Sequence, residues 1–215
     1  MTQRVRTVQS KEPIRLFKSD FLEFFTHISP IIVLVIYLPV AAYFLWLAVE
    51  QRPSGSGWGY IPLGWLVGLV VWTLSEYLLH RFVFHFHPAN ASEKVERVLF
   101  LVHGVHHSQP RNKTRLVMPP VLSIPLALLF LWTFQVLVGQ GLGLPLWVAP
   151  LSGGFTLGYL LYDMTHYSIH HIPMKRGLLK IIRKHHMHHH FQTPNLRYGV
   201  SSPFWDYIFR TNPAE

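Results

Sequence analysis

From Leu116 to Tyr162 the chain reads LVMPPVLSIPLALLFLWTFQVLVGQGLGLPLWVAPLSGGFTLGYLLY, 47 consecutive residues without a charge. A helix needs about 20 apolar residues to cross the roughly 30 Å hydrocarbon core of a bilayer, so this stretch is too long for one crossing and right for two. The run Gly139-Gln-Gly-Leu-Gly143 supplies the turn between them. Towards the N-terminus, Ile28 to Val49 gives 22 further uncharged residues, with Pro30 suited to a first turn and Pro39 placed to kink the helix. The loop Pro53-Ser-Gly-Ser-Gly-Trp-Gly59 precedes another apolar run, Ile61 to Leu79, whose one charge is Glu76. The sequence therefore predicts an all-α membrane protein. Its four transmembrane helices, at about 28–49, 61–79, 119–138 and 144–162, form two hairpins within a single domain, 1–215.

The charges give the orientation. Of 19 Lys+Arg, five precede the first span (Arg4, Arg6, Lys11, Arg15, Lys18). Six lie between the second and third (Arg81, Lys94, Arg97, Arg111, Lys113, Arg115), and seven follow the fourth (Lys175, Arg176, Lys180, Arg183, Lys184, Arg197, Arg210). Only Arg52 falls on the other side. Basic loops stay cytoplasmic, which predicts a multi-pass protein with both termini in the cytosol. The same asymmetry accounts for the net charge of +9 without nucleic-acid binding. The polar, basic first 27 residues and the length of the first apolar run argue against a cleaved signal peptide. The absence of cysteine excludes disulfides, iron–sulfur clusters, thiolate-ligated zinc and a cysteine nucleophile.

All fifteen histidines lie on the basic side of the spans. They cluster as His80-Arg-Phe-Val-Phe-His85-Phe-His87, His103-Gly-Val-His106-His107, His166-Tyr-Ser-Ile-His170-His171 and His185-His-Met-His-His-His190. Residues at i, i+3 and i+4 share a helix face, so His103/His106/His107 and His166/His170 can each direct imidazoles from one turn at a metal ion. His80 and His85 lack that spacing, which predicts a helix end between them and a turn that brings the second back. The stripe Val95, Val98, Leu99, Val102 continues onto His103 and His106, with Gly104 as a possible break. In the last cluster two registers are available, His185/His188/His189 and His186/His189/His190. The second is preferred because the apolar face of Leu178, Leu179 and Ile182 continues onto it, whereas the polar face of Lys180 and Lys184 continues onto His188.

The clusters thus offer about ten candidate metal-ligating imidazoles, with the register of the last cluster open between the two choices. Ten imidazoles exceed the four to six ligands of one ion, so two ions with about five nitrogens each is the natural count. A nitrogen-rich site without thiolates suits iron or zinc and not calcium or magnesium. Glu76, one turn before His80, and Asp163, three residues before His166, are candidates to accept an imidazole N–H and orient the ring. His27 reads as an ordinary polar residue, and His87 and His171 as structural. Tyr159, Tyr162 and Tyr167 could line a substrate slot or serve as interfacial aromatics.

Several of these segments together resemble the integral-membrane fatty acid hydroxylase superfamily. They are His80-Arg-Phe-Val-Phe-His85, His103-Gly-Val-His106-His107, Tyr159-Leu-Leu-Tyr-Asp163-Met-Thr-His166-Tyr-Ser-Ile-His170-His171 and the closing His-x-x-His-His-Phe. Arg115-Leu-Val-Met-Pro-Pro120 and Gly199-Val-Ser-Ser-Pro-Phe-Trp205-Asp-Tyr-Ile-Phe209 are similar to the fatty acid (ceramide) 2-hydroxylases within it. The resemblance runs over roughly residues 15–212. It implies four spans with a cytoplasmic, histidine-rich helical cap holding a dimetal centre on His80, His85, His103, His106, His107, His166, His170, His186, His189 and His190, and it selects the register ending at Phe191. It further implies iron in the active enzyme, zinc in purified material, and dioxygen as co-substrate. Many eukaryotic relatives carry a fused b-type cytochrome domain. The 27 residues before the first span leave no room for one, which predicts a separate electron-donor protein.

The function expected is 2-hydroxylation of a fatty acyl chain that remains in the lipid. Unactivated C–H bonds lie beyond acid–base side chains, so the metals would carry the chemistry while the protein positions the chain. Phe82, Phe84, Phe86 and Trp205 are candidates to line an acyl channel. Sterol or carotenoid oxidation and desaturation use similar histidine clusters and form the alternative within the superfamily. From a different class, a membrane metal transporter or metal-binding protein would also be rich in ligands. Transporters, however, place them near the bilayer midplane, where this chain has only Glu76.

Overall fold

A computed structural model describes residues 12–86 and 88–213 of the chain. His87, Arg4, Arg6 and Lys11 lie outside the described residues. Among those described there are no strands, and the protein is all-helical. In chain order the helices are α1 (Asp20–Phe24), α2 (Pro30–Glu50), α3 (Tyr60–Leu79), α4 (Glu93–Leu99), α5 (Val105–Ser108), α6 (Pro120–Phe134), α7 (Pro145–His171), α8 (Gly177–Phe191) and α9 (Phe204–Ile208). Three π-helical segments continue α3, α4 and α6: His80–Phe84, Phe100–Gly104 and Gln135–Gly141.

Among the described residues, three helical stretches are long and apolar enough to cross a membrane: Pro30–Glu50, Tyr60–Phe84 and Pro120–Gly141. They correspond to the first three expected spans. Pro39 sits inside α2, which continues past it to Glu50. The helix expected as the fourth span forms as α7, 27 residues long, but it is not among the three. Its sequence explains why. Pro150, Ser152, Gly153, Gly154, Thr156 and Gly158 take positions that leucine or isoleucine would fill in a lipid-facing helix. Most of this stretch is buried against protein.

The chain divides into two compact units. One comprises Pro30–Leu74 and Met118–Asp163 and contains most of the apolar helices. Its packing rests on small residues that bring backbones together. A Cβ on Gly64 would lie 2.8 Å from the Pro150 side chain, and one on Gly158 would lie 2.6 Å from that of Trp72. At Gly154 it would strike the Trp65 carbonyl. Close backbone approach of this kind, with small residues spaced four apart, is how helices associate where lipid removes the hydrophobic drive between them. Trp72 sits edge-on to Phe155 and Tyr159, with centroids 5.1 and 5.2 Å away. The Tyr37 hydroxyl donates to Ser123 at 2.7 Å beside a small cavity lined mainly by aromatic and aliphatic side chains. The outward faces stay apolar: Ile31, Val35, Leu66, Leu128 and Trp132 are all exposed.

The other unit, Met1–Ser29, Ser75–Val117 and Met164–Glu215, carries the ten candidate metal-ligating histidines. Its interior includes many buried polar groups beside apolar ones such as Ile169 and Val200. Arg115 is buried and binds the Ile14 carbonyl and the Glu23 carboxylate, while its Nη2 also reaches His27 Nε2 at 2.9 Å. The Ile14 N–H donates to Gln109 Oε1 at 2.9 Å, and Gln109 donates to the Glu12 carbonyl at 2.8 Å. These bonds tie the segment before α1 to the loop after α5.

Candidate metal centre

The ten candidate histidines come together as two groups of five, all within the second unit described. His80, His85, His103, His107 and His189 form one group; His106, His166, His170, His186 and His190 form the other. In each group the ligand atoms lie within 4.8 Å of one another. Each group could hold a metal ion, and the nitrogen spacing fits one. Around an ion about 2.1 Å from each nitrogen, ligands at right angles are about 3.0 Å apart and opposite ones about 4.2 Å. The observed Nε2–Nε2 separations are 3.1 Å for His80–His103 and 3.0 Å for both His103–His107 and His85–His189. In the second group they are 3.0 Å for His106–His166, 2.9 Å for His106–His190, and 3.0 Å for both His170–His186 and His186–His190.

Local backbone geometry explains how the first pair meets. The helix does not end between His80 and His85; it widens into a π-helical turn closed by the His85 N–H on the His80 carbonyl at 3.1 Å. A five-residue turn places i and i+5 on one side, which an α-helix cannot do, and such turns recur at functional sites. Gly104 likewise does not break its helix. It lies in the second π-helical segment, where a Cβ would meet the Phe100 ring at 3.0 Å, and α5 follows directly.

Neighbouring histidines are dealt to different groups. His103 and His107 serve one and His106 the other; His189 serves one, and His186 and His190 the other. Consecutive helix positions point about 100° apart, so α5 and α8 each face both groups. His185 turns away: its Nε2 bonds Asp206 Oδ2 at 3.0 Å. His188 belongs to neither group, and the set drawn together is therefore His186/His189/His190. His27 lies beside Thr114 and Arg115, and His171 packs on Tyr167, centroids 4.6 Å apart.

Burial sets the protonation. Desolvation first, and neighbouring imidazoles second, hold His103, His107, His186 and His190 well below the ordinary imidazole range. They are neutral at physiological pH, with lone pairs available. Tautomers follow from carbonyl partners, which can only accept. His80 Nδ1 donates to Tyr198 O at 2.5 Å and His189 Nδ1 to Leu196 O at 2.7 Å. Both Nε2 atoms therefore keep their lone pairs facing the group. In the second group, Nδ1 of His106, His186 and His190 is buried without a hydrogen-bond partner among the described residues.

Glu76 does not take the place expected for it beside His80. Its Oε1 accepts the Val200 and Ser201 N–H groups at 2.7 and 2.8 Å, and Oε2 accepts the Ser201 hydroxyl at 2.5 Å. The reason is competition: the carbonyl of Tyr198 already holds His80 Nδ1, and the backbone N–H groups at 200–201 take one carboxylate oxygen while the Ser201 hydroxyl takes the other. Asp163 is buried on α7, three residues before His166. Phe84 stacks on His103 at 5.3 Å, while Phe82 and Phe86 are exposed.

Sequence reasoning missed Asp206. It is fully buried, accepting the Tyr198 N–H (2.8 Å) and Thr211 hydroxyl (2.7 Å) on Oδ1, and the Gly199 N–H (2.7 Å) and His185 on Oδ2. Burial alone would raise its pKa, but the bonds from His185, Thr211 and Gly199 outweigh burial and hold it below the usual carboxylate range. The available signal was a single acid within the aromatic run Phe204-Trp-Asp-Tyr-Ile-Phe209.

The fatty acid hydroxylase family profile matches residues 65–211. A dihydroceramide fatty acyl 2-hydroxylase of Arabidopsis thaliana is 35% identical, with 96% of this chain and 83% of that protein aligned. The fatty acid 2-hydroxylase of Homo sapiens is 33% identical over 94% of this chain, which spans 58% of the human protein. Among solved structures, full-length scs7p with only its hydroxylase domain visible is similar at a TM-score of 0.80 and 36% identity. That match covers 91% of this chain and 70% of that one.

Proposed function

The chain belongs to the fatty acid hydroxylase family, and on that premise we propose that it introduces a hydroxyl group at carbon 2 of a membrane-borne fatty acyl chain. The observation that carries this reading is the pair of five-imidazole groups in a protein with three helices long and apolar enough for a bilayer. His80, His85, His103, His107 and His189 would hold one metal ion, and His106, His166, His170, His186 and His190 a second. Iron held there, to which zinc could substitute, would supply the dioxygen-dependent oxidation that an unactivated C–H bond requires and that acid–base side chains lack.

The chain's own contribution is positional. Burial keeps the imidazoles neutral, and carbonyl bonds to His80 and His189 fix the nitrogen that faces the ion. In this reading α7 is a fourth crossing, sheltered from lipid by small-residue packing, and the histidines face the cytosol, where a separate protein delivers electrons.

The test measures metal content and acyl profile together in cells expressing the intact chain under oxygen. Two iron ions per chain with new 2-hydroxy acyl species, both reduced by His170→Ala, are expected. Metal-loaded protein that leaves the acyl pool unchanged, with electrons supplied, would overturn the reading.

A further inference from the structure

The two histidine groups differ in what stands behind them. Behind the first runs the segment Leu196–Ser201, whose carbonyls at 196 and 198 take the Nδ1 protons of His189 and His80. Residues 198–201 of that segment are held by two buried carboxylates. Asp206 accepts the N–H groups of Tyr198 and Gly199, and Glu76 accepts those of Val200 and Ser201. Four consecutive backbone donors are thus fixed by two side chains, from opposite flanks. The Thr211 hydroxyl, itself 2.9 Å from the buried Tyr77 hydroxyl, fixes Asp206 in turn. In the second group the Nδ1 atoms of His106, His186 and His190 have no hydrogen-bond partner among the described residues.

We infer that Glu76 and Asp206 are positioning residues that act through the Leu196–Ser201 backbone on His80 and His189, making the first group the tighter of two inequivalent metal sites. The inference rests on the two-metal reading above. Its physical basis is preorganisation. An imidazole whose Nδ1 is bonded to a fixed carbonyl has one tautomer and one ring orientation, whereas one without such a bond must be ordered by the ion itself. Partners of this kind change metal affinity by about 10–100-fold.

The chemistry at the two carboxylates predicts which substitutions matter. Glu76→Gln can still accept both N–H groups on one oxygen while its amide donates to the Ser201 hydroxyl. Glu76→Ala leaves those donors buried and unmet. Asp206→Asn sets an amide N–H against the Gly199 N–H and cannot repair itself by flipping, since both oxygens accept backbone donors.

The experiment uses the full chain in detergent, stripped of metal and titrated with Co²⁺, whose ligand-field bands report the coordination of each ion. The His170→Ala background keeps the first group intact, and the His85→Ala background keeps the second. In the first background Glu76→Ala should weaken Co²⁺ binding by about 10–100-fold and change the bands, while Glu76→Gln restores both. In the second background neither should have an effect. Equal loss in both backgrounds, or none in the first, would overturn the inference. If Glu76→Ala fails to fold, the unsubstituted chain still decides. Release of two ions to a chelator in two separated steps is expected, and release together overturns the inference alone. A chain that binds no Co²⁺ at all overturns the metal reading as well.

Discussion

The two units of this chain are held together by opposite means. In the unit formed by Pro30–Leu74 and Met118–Asp163, order comes from what is absent: glycines at 64, 68, 154 and 158 let helices approach until a Cβ would collide. In the histidine-bearing unit, order comes from buried polar groups with named partners, such as Arg115 with Glu23 and Asp206 with four donors. The difference teaches where precision is needed. Packing of small residues fixes helix positions without directional demands. Two sets of five imidazoles need directional bonds, because a nitrogen misplaced by an ångström no longer fits one ion.

That contrast can be broken by substitution, and the largest effect is expected in the polar unit. His106→Ala removes a nitrogen that contacts both His166 and His190, and should abolish turnover and lower bound metal towards one ion per chain. Helix content measured by circular dichroism should stay near the parent value. Loss of helices along with metal would show that the metals hold the whole fold, erasing the contrast.

Gly154→Ala tests the other unit. The new Cβ meets the backbone of Trp65, which cannot yield as a side-chain end could. The expected cost is about 3 kcal/mol, the upper part of the overpacking range, read as a lowered Tm in detergent. An unchanged Tm would mean the helices are not so tightly joined.

Arg115→Met should cost less, about 1–3 kcal/mol, because Glu23 keeps the N–H groups of Leu16 and Phe17 at 2.9 and 2.8 Å when the guanidinium is lost. Faster proteolysis before α1, at unaltered metal content, is the accompanying sign. Gly57→Ala is the smallest change. Nothing lies within 4 Å of its Cβ, so Tm and activity should match the parent, corresponding to less than about 0.5 kcal/mol. A large effect there would show that glycine content, and not close approach, is what matters.

Much of the candidate site was legible before any coordinates. The i, i+4 pairs His103/His107, His166/His170 and His186/His190 each end in a single group, because helix periodicity alone fixes which rings share a face. His80 and His85 fall in one group through a π-helical turn and not through the helix end expected: such a turn needs one extra residue, and nothing in Arg81-Phe-Val-Phe84 announces it. The role of Glu76 was misread for a similar reason. Its true partners are 124 and 125 residues away, and a window of local sequence cannot contain them.

The sequence by itself determined the apolar helices, the ten histidines and the family. These depend on composition and on spacings shorter than two helical turns, which survive without knowledge of the fold. Only the tertiary structure decided how adjacent histidines divide between two groups, why α7 can be less apolar than its neighbours, and that Asp206 stands behind the first group. Each of those depends on contacts between segments far apart in the chain, and hydrogen-bond direction and backbone approach exist only once those segments have met.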